Sequence, residues 1–362
     1  MAIKHASHEL VSAADGHQDM VLDGTKIQWY YDRVAAWEAG EHIAPVTVDM
    51  ALTRRCNYAC SFCYAMLQGN SEGVITADIM TGFLDDCARM GVKGVSLVSD
   101  GESTLSPAFE HSVLYGHSLG ISMAVGTNAY VLTAEKSDRV LPSLTYLRVN
   151  FSAGEPRRYA EIMGVKEASY YRVCDNIRAM VISKRRLGLN VTIGIQMVLM
   201  PQDADQIVPF AKLGKELGVD YAIIKHCSDD EHGSLGVDYG AYPSLYPALR
   251  EAETYSAPGY LVAVKWSKIG QGNHRLYQRC YGPPFIIQVS GSGLVAPCGM
   301  LFNERYAKFH IGSICEERWW DIWQSDRYWE VMRYLASDQF DAQRMCGALC
   351  LQHKVNEALD SH

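Results

Sequence analysis

Cys56, Cys60 and Cys63 lie on one short stretch, TRRCNYACSFCYA, in a CxxxCxxC arrangement. Thiolates are soft ligands suited to iron and zinc. Three of them on one loop can hold three irons of a [4Fe-4S] cube and leave the fourth iron without a protein ligand, open to a small molecule. A structural zinc site usually needs four ligands in two close pairs, and an electron-carrying cluster takes four thiolates, so a lone three-thiolate loop matches neither. A second set, Cys280, Cys298, Cys346 and Cys350, is a complete [4Fe-4S] ligand set or, as the plainer alternative, a tetrahedral zinc site. The chain holds 11 cysteines in all, and in a reducing compartment that number points to metal rather than disulfides.

Phe62 and Tyr64 flank the last cysteine of the first set, and the stretch directly follows a predicted strand. In these features the chain resembles the radical S-adenosylmethionine (SAM) superfamily. The resemblance implies that the methionyl amine and carboxylate of SAM chelate the open iron, that one electron breaks the S–C5′ bond, and that a 5′-deoxyadenosyl radical results. It also implies an electron donor such as flavodoxin or ferredoxin. The residues Ser99, Asp100, Gly101 and Glu102 look like a variant of the family's GGE motif. Glu102 would accept hydrogen bonds from the SAM ammonium and Gly101 would let backbone approach closely, a surface loop carboxylate being the bland alternative. Tyr64, Asn128, Ser152 and Gln196 are the further expected SAM contacts. Asn128, Ser152 and Gln196 are equally suited to capping strand ends. No arginine clearly matches the one that many relatives direct at the SAM carboxylate.

Twelve residues separate Cys280 from Gly293 and four separate Gly293 from Cys298. This spacing resembles the opening of the SPASM and twitch auxiliary domains of the same superfamily, and HIGSICEERWWDIWQSDRY resembles their linking segment. With four ligands available, one auxiliary cluster is expected, closer to twitch than to a two-cluster SPASM domain. The expected cofactors are therefore SAM and two [4Fe-4S] clusters. The Trp319, Trp320, Ile322, Trp323, Trp329 and Met332 pattern reads as helix packing.

Of the remaining cysteines, Cys87 and Cys174 fall inside predicted helices and Cys315 in the linking segment, where ordinary burial accounts for them. Cys227 differs, because it follows the sixth predicted strand at the mouth where substrate should sit. An S–H bond is weak enough to give a hydrogen atom to a carbon radical, which would complete an epimerisation; a merely buried thiol is the alternative. Lys225, His226 and Asp229 are bases or hydroxyl binders for the other outcome, dehydrogenation, in which relatives pass an electron from a ketyl radical to the auxiliary cluster. Related peptide maturases commonly add a leader-binding module, and the 45 residues before the first strand look too short for one. The expected substrate is a small hydroxylated molecule, a sugar, aminocyclitol or nucleoside. Peptide maturation is the alternative activity, and a zinc or iron-sulfur binding protein without SAM cleavage is the non-enzymatic one.

These residues need a scaffold. Short β-branched runs, at 46–52, 94–98, 121–125, 146–151, 191–199 and 221–225, alternate with amphipathic stretches such as 76–90 and 204–217, the signature of βα units on a parallel sheet. Six units predict an α/β fold, a partial (β/α)6 TIM-like barrel, with chemistry beyond the C-terminal ends of the strands. Along 146–152, Leu147, Val149 and Phe151 alternate with Arg148, Asn150 and Ser152, so one strand face is polar and is expected to point into the barrel. The expected division is an extension over 1–45 with one helix at 27–39, the barrel over 46–230, a bridge over 231–279 where the alternation has stopped, and the auxiliary cluster domain over 280–362.

At 362 residues, 48% hydrophobic and 20% charged, the chain is ordinary globular protein. A net charge of −8 argues against nucleic acid, whose phosphates call for clustered Lys and Arg. The N-terminus lacks a basic start followed by an apolar run, and the apolar stretch 191–200 is of strand length and interrupted by Gln196, so neither export nor a membrane span is expected. The expected location is cytoplasmic.

Overall fold

All six expected strands form, and the computed structural model, which describes residues 27, 29–271, 274–347, 350 and 352–360, adds four more to the same sheet. The parallel series is β1 (Thr47–Met50), β2 (Gly94–Leu97), β3 (Ser122–Thr127), β4 (Leu144–Asn150), β5 (Thr192–Leu199), β6 (Tyr221–His226) and β7 (Leu261–Val264). Helix α1 (Tyr31–Glu38) precedes it. The crossovers hold α2 (Ala77–Met90), α3 (Phe109–Ser118), α4 (Ala134–Val140), α5 (Pro156–Met163), α6 (Ala168–Leu187), α7 (Ile207–Leu217) and α8 (Tyr246–Glu253), and α9 (Trp266–Gln271) follows β7. The helix expected over 27–39 is shorter, and residue 28 of that span lies outside the described residues.

The expectation that alternation stops after residue 225 is corrected. One further αβ step, α8 and β7, extends the sheet beyond β6; its strand is a four-residue LVAV run, too short to stand out from the polar residues around it. On the other edge, β8 (Ile286–Val289) pairs parallel to β1 and continues antiparallel through β9 (Leu294–Ala296) and β10 (Gly312–Ser313). The order is β10-β9-β8-β1-β2-β3-β4-β5-β6-β7, an open curved sheet rather than a closed barrel. Helices α10 (Trp319–Gln324), α11 (Asp326–Leu335), α12 (Ala342–Met345) and α13 (His353–Leu359) complete the chain.

The two faces of this sheet are chemically different. Val48, Met50, Val95, Leu97, Val125, Leu147, Val149, Ile193, Ile195 and Met197 point outward under the helices and are 0% exposed. The alternate residues Asp49, Ser96, Tyr146, Arg148, Asn150 and Lys225 are only half-buried, as expected of a sheet that curves around a space rather than around packed side chains. Small residues keep that space open: Ser96 Oγ on β2 reaches Tyr146 OH on β4 at 3.2 Å across the Ala124 level of β3. No described helix is long and apolar enough to cross a membrane.

The tryptophan-rich segment does pack as helices. Trp319 meets Phe83 of α2 at 6.0 Å between ring centroids, and the buried Asp86 carboxylate accepts from Arg318 Nε (3.0 Å), Arg318 Nη2 (2.7 Å) and Trp320 N–H (3.1 Å). Asp86 is thus the polar anchor between the barrel's first helix and the C-terminal segment. Asp86→Ala, which strands these donors at a partly buried contact, should destabilise the protein by about 1–3 kcal/mol, read as a lower urea midpoint; an unchanged midpoint would contradict the anchoring.

Candidate active site

The triad loop leaves β1 at Thr53 and is closed at its base by Arg54. The guanidinium donates to Asn70 O (2.9 Å) and Gln68 O (3.0 Å), tying the two ends of the loop together, and lies 3.6 Å from the buried carboxylate of Asp100. Asp100 also accepts from Ser290 Oγ (2.6 Å) and Gly291 N–H (2.8 Å), so the loops after β1, β2 and β8 meet there. Glycine is required on both sides of Thr53: a Cβ at Gly101 would lie 1.9 Å from Thr53 O, and one at Gly291 would lie 2.2 Å from Thr53 C. Gly101 does permit a close approach, and the backbone it approaches is the base of the triad loop. The loop's far side rests on α5, with Ala59 N–H to Met163 O (3.3 Å), Ser61 N–H to Ile162 O (2.9 Å) and Tyr58 OH against Tyr159 OH (3.0 Å).

Held this way, Cys56 is exposed while Cys60 and Cys63 are half-buried. Burial, and then the neighbouring Cys63 and Cys56, pushes the Cys60 thiol above its ordinary range; burial raises Cys56 and Cys63 as well. Loaded with iron, the three would give up their protons, so loading releases acid. Among the described residues no three thiols, imidazoles or carboxylates converge at single-ion distance. The donor set itself, three thiols on one loop with one facing solvent, fits a multi-iron cage with an open corner.

The other expected SAM contacts gather nearby in part. Glu102 is buried, with Oε1 accepting from Thr104 N–H (3.2 Å), Thr104 Oγ1 (2.5 Å) and Thr127 Oγ1 (2.7 Å), and Oε2 from Asn128 N–H (2.7 Å). With about two acceptor sites on each oxygen, Oε1 is full and Oε2, which meets one donor among the described residues, keeps one for an external donor. Asn128 donates to Asn57 Oδ1 (2.8 Å) and lies 3.9 Å from Cys56 Sγ, which puts Glu102 and Asn128 at the triad. Ser152 is fully buried and accepts from Val198 N–H (3.1 Å), a strand-end contact between β4 and β5. Gln196 donates to Asn150 Oδ1 (2.9 Å) on the inner face. Tyr64 turns towards the C-terminal segment: its hydroxyl is buried without a hydrogen-bond partner among the described residues, and Cys298, Tyr306, Glu231 and Asp230 are titratable neighbours.

At the end of β6 the four expected catalytic residues separate. Lys225 faces the interior, and burial with neighbouring cations pushes it down to about 7. His226 is buried behind it with Nδ1 2.6 Å from Cys227 O, and burial lowers it to about 4, so it stays neutral. Cys227 is fully buried; its thiol lies 3.9 Å from Phe62 O, inside the triad loop, and burial pushes it up to about 12. Asp229 is buried with both oxygens engaged by Asp230 N–H (2.8 Å) and Leu235 N–H (2.9 and 3.0 Å), which supports a role in shaping the 229–237 turn.

In the C-terminal segment Cys280, Cys298, Cys346 and Cys350 are electrostatic neighbours of one another. Asn356 Nδ2 donates to Cys280 Sγ at 3.4 Å, and Tyr277 OH lies 3.3 Å from Cys350 Sγ. Arg275 donates to Cys346 O (3.3 Å) and to Gly347 O, clasping the backbone between the last two cysteines. Cys87 and Cys174 are buried in α2 and α6 as expected, and Cys315 lines a cleft of about 270 Å³ between α2 and 314–319 that includes neither cysteine set nor the inner barrel face.

Sequence reading missed Arg54, Asp100 and Gly291. Asp100 stood in the recognised SDGE stretch, but its partners Ser290 and Gly291 lie 190 and 191 positions away, where no local pattern points to them.

Comparison with known proteins agrees with this geometry. The radical SAM superfamily model matches residues 50–214, and an iron-sulfur cluster-binding domain model, SPASM, matches residues 280–350. The AdoMet-dependent heme synthase of Methanosarcina barkeri is 24% identical over 340 residues, 86% of this chain and 90% of that protein. The tungsten-containing aldehyde ferredoxin oxidoreductase cofactor-modifying protein of Pyrococcus furiosus is 20% identical over 296 residues, 77% and 81% of the two chains. The crystal structure of Streptococcus suis SuiB bound to S-adenosylmethionine superposes with a TM-score of 0.64 at 17% identity, over 85% of this chain and 72% of that one, a likeness of fold.

Gly291→Ala places a methyl group against Thr53 backbone and must displace the loop base. The expected result is loss of about half of the iron that the protein binds, read by iron and sulfide analysis after anaerobic reconstitution. Iron content equal to wild type would show that the loop base tolerates displacement.

Proposed function

The chain belongs to the radical SAM superfamily and carries a SPASM domain, and we propose from this that Cys56, Cys60 and Cys63 hold the SAM-binding [4Fe-4S] cluster and Cys280, Cys298, Cys346 and Cys350 the second. Held by Cys56, Cys60 and Cys63, that cluster would, with SAM and one electron, supply a 5′-deoxyadenosyl radical able to take hydrogen from a substrate carbon. The substrate proposed is a small hydroxylated molecule, and the observation that carries this is the half-open polar inner face of the sheet beside the triad loop. Asp49, Ser96, Tyr146, Asn150 and Gln196 line it with the donors and acceptors that hydroxyl groups need.

Glu102 and Asn128, held against the triad by Thr104, Thr127 and Asn57, would bind the amino end of SAM. Cys227 supports epimerisation as the outcome. Its thiol sits beside Phe62 of the triad loop, and burial keeps it in the S–H form that can hand over a hydrogen atom. After abstraction, the Cys227 hydrogen moves to the carbon radical, forming the new C–H bond and leaving a thiyl radical. Each turnover then consumes two electrons from an external reductant, one to cleave SAM and one, with a proton, to restore the thiol. Dehydrogenation is the second reading, and Lys225, the inward-facing base near 7, is what supports it.

Each of Cys56→Ala, Cys60→Ala and Cys63→Ala should reduce 5′-deoxyadenosine formation to background in a reductant-driven assay. With a panel of sugars, aminocyclitols and nucleosides deuterated at carbon, the substrate is the compound whose deuterium enters 5′-deoxyadenosine. Cys227→Ala should then still form 5′-deoxyadenosine but no epimerised product, and wild type should place solvent deuterium on the inverted carbon. An oxidised product without solvent deuterium would instead select dehydrogenation, and modification of a peptide alone would overturn the small-molecule reading.

A further inference from the structure

The inner barrel face and α9 bring three cations together, and among the described residues none of their side chains is ion-paired. Arg148 on β4 stands at the register level of Gly126 on β3 and Gly194 on β5, where a Cβ would meet Val98 Cγ2 at 2.7 Å and the Tyr221 ring at 2.3 Å, so the guanidinium lies among Val98, Gly126 and Tyr221 on the inner face. Its Nε is buried with no hydrogen-bond partner among the described residues. Lys225 lies on the same face of β6, four residues beyond Tyr221, which shares the Arg148 level through Gly194. Lys268, from α9, is an electrostatic neighbour of both. None of the three side chains forms an ion pair or hydrogen bond with another described residue. Asp49 is an acid whose charge reaches Arg148 without an ion pair between them; burial raises it to about 6, and one carboxylate faces three cations.

Unpaired charges removed from water are costly unless a partner restores the lost solvation. The cost shows here, since burial and mutual repulsion push both lysines down. A planar guanidinium with its fork unengaged is suited to a tetrahedral or planar oxyanion.

We propose that Arg148, Lys225 and Lys268 form a seat for an anionic group of the substrate, a phosphate or a carboxylate, inside the barrel. This rests on the reading above only in placing substrate in that interior. An anion so seated would fix one end of the molecule within the barrel and direct the rest toward the C-terminal ends of the strands, where the triad loop lies. It would also restore the charge on Lys225, leaving the Cys227 thiol rather than a free amine as the group that acts on the substrate radical.

The test is thermal unfolding of the fully reconstituted protein as chloride is replaced by sulfate, or separately by acetate, at constant ionic strength. A ligand that binds the folded state raises the midpoint along a saturating curve, whereas general salting effects rise without saturation. Wild type should show a saturating rise with sulfate if the seat takes a phosphate-like group, or with acetate if it takes a carboxylate. Arg148→Gln and Lys268→Gln should each weaken that saturation at least tenfold. SAM affinity, followed by the change in the EPR signal of the reduced cluster, should move less than twofold in both. No saturation in wild type, equal saturation in both variants, or a tenfold loss of SAM affinity, which would assign the cations to the SAM carboxylate, overturns the proposal. Absence of 5′-deoxyadenosine in wild type would instead count against the radical chemistry and leave the anion seat standing.

Discussion

The structure depends on how tightly the backbone at Thr53 and Arg54 is gripped. Two neighbouring loops approach it so closely that a side chain on either Gly101 or Gly291 would overlap its atoms, and the Asp100 carboxylate joins the ends of β2 and β8 by accepting from Ser290 and Gly291 and reaches the end of β1 through its ion pair with Arg54. A loop that presents three thiols has little core of its own. Its geometry must be imposed from outside, by contacts on rigid elements that fix the positions of its ends. The grip comes from β2 on one side and β8 on the other, so the C-terminal segment is part of what positions the first cysteine set.

The same sheet separates stability from chemistry. Its outward residues are apolar, fully buried and covered by helices, which supplies the hydrophobic free energy that holds a half-open interior in place. The inward residues are therefore free to be polar, charged and incompletely satisfied. Arg148 and Lys225 are tolerated there because that face is only half-buried and because the outer face does not depend on them. Glu102 shows a related economy, since one carboxylate braces the loops after β2 and β3 and still has a lone-pair site to offer beside the triad.

What could be read from sequence was what repeats or lies close together. The alternation of apolar and polar residues along 146–152 gave both the strand and its polar face, and the six strand runs appeared within two residues of their bounds. The cysteine spacing marked both thiol sets. The missing parts were those set by distant partners or by very short elements. β7 has four residues and no flanking pattern, and β8 joins β1 across more than two hundred positions. Asp229 read as a base because it follows a strand, yet its oxygens are taken up by the turn it starts, a local contact that residue type alone does not distinguish from catalysis. His226 similarly shares the strand end with Lys225 but points to the other face, as a period of two demands.

The central claim is that the first three cysteines leave one iron open for SAM. Mössbauer spectroscopy of protein reconstituted anaerobically with 57Fe, recorded before and after SAM addition, tests it most directly. Two four-iron clusters with one open corner predict that about one iron site in eight shifts to a higher isomer shift on adding SAM, and that the shift vanishes together with half of the iron when Cys56, Cys60 and Cys63 are all replaced by Ala. A spectrum indifferent to SAM, or a SAM-dependent shift that survives loss of the three cysteines, would contradict it.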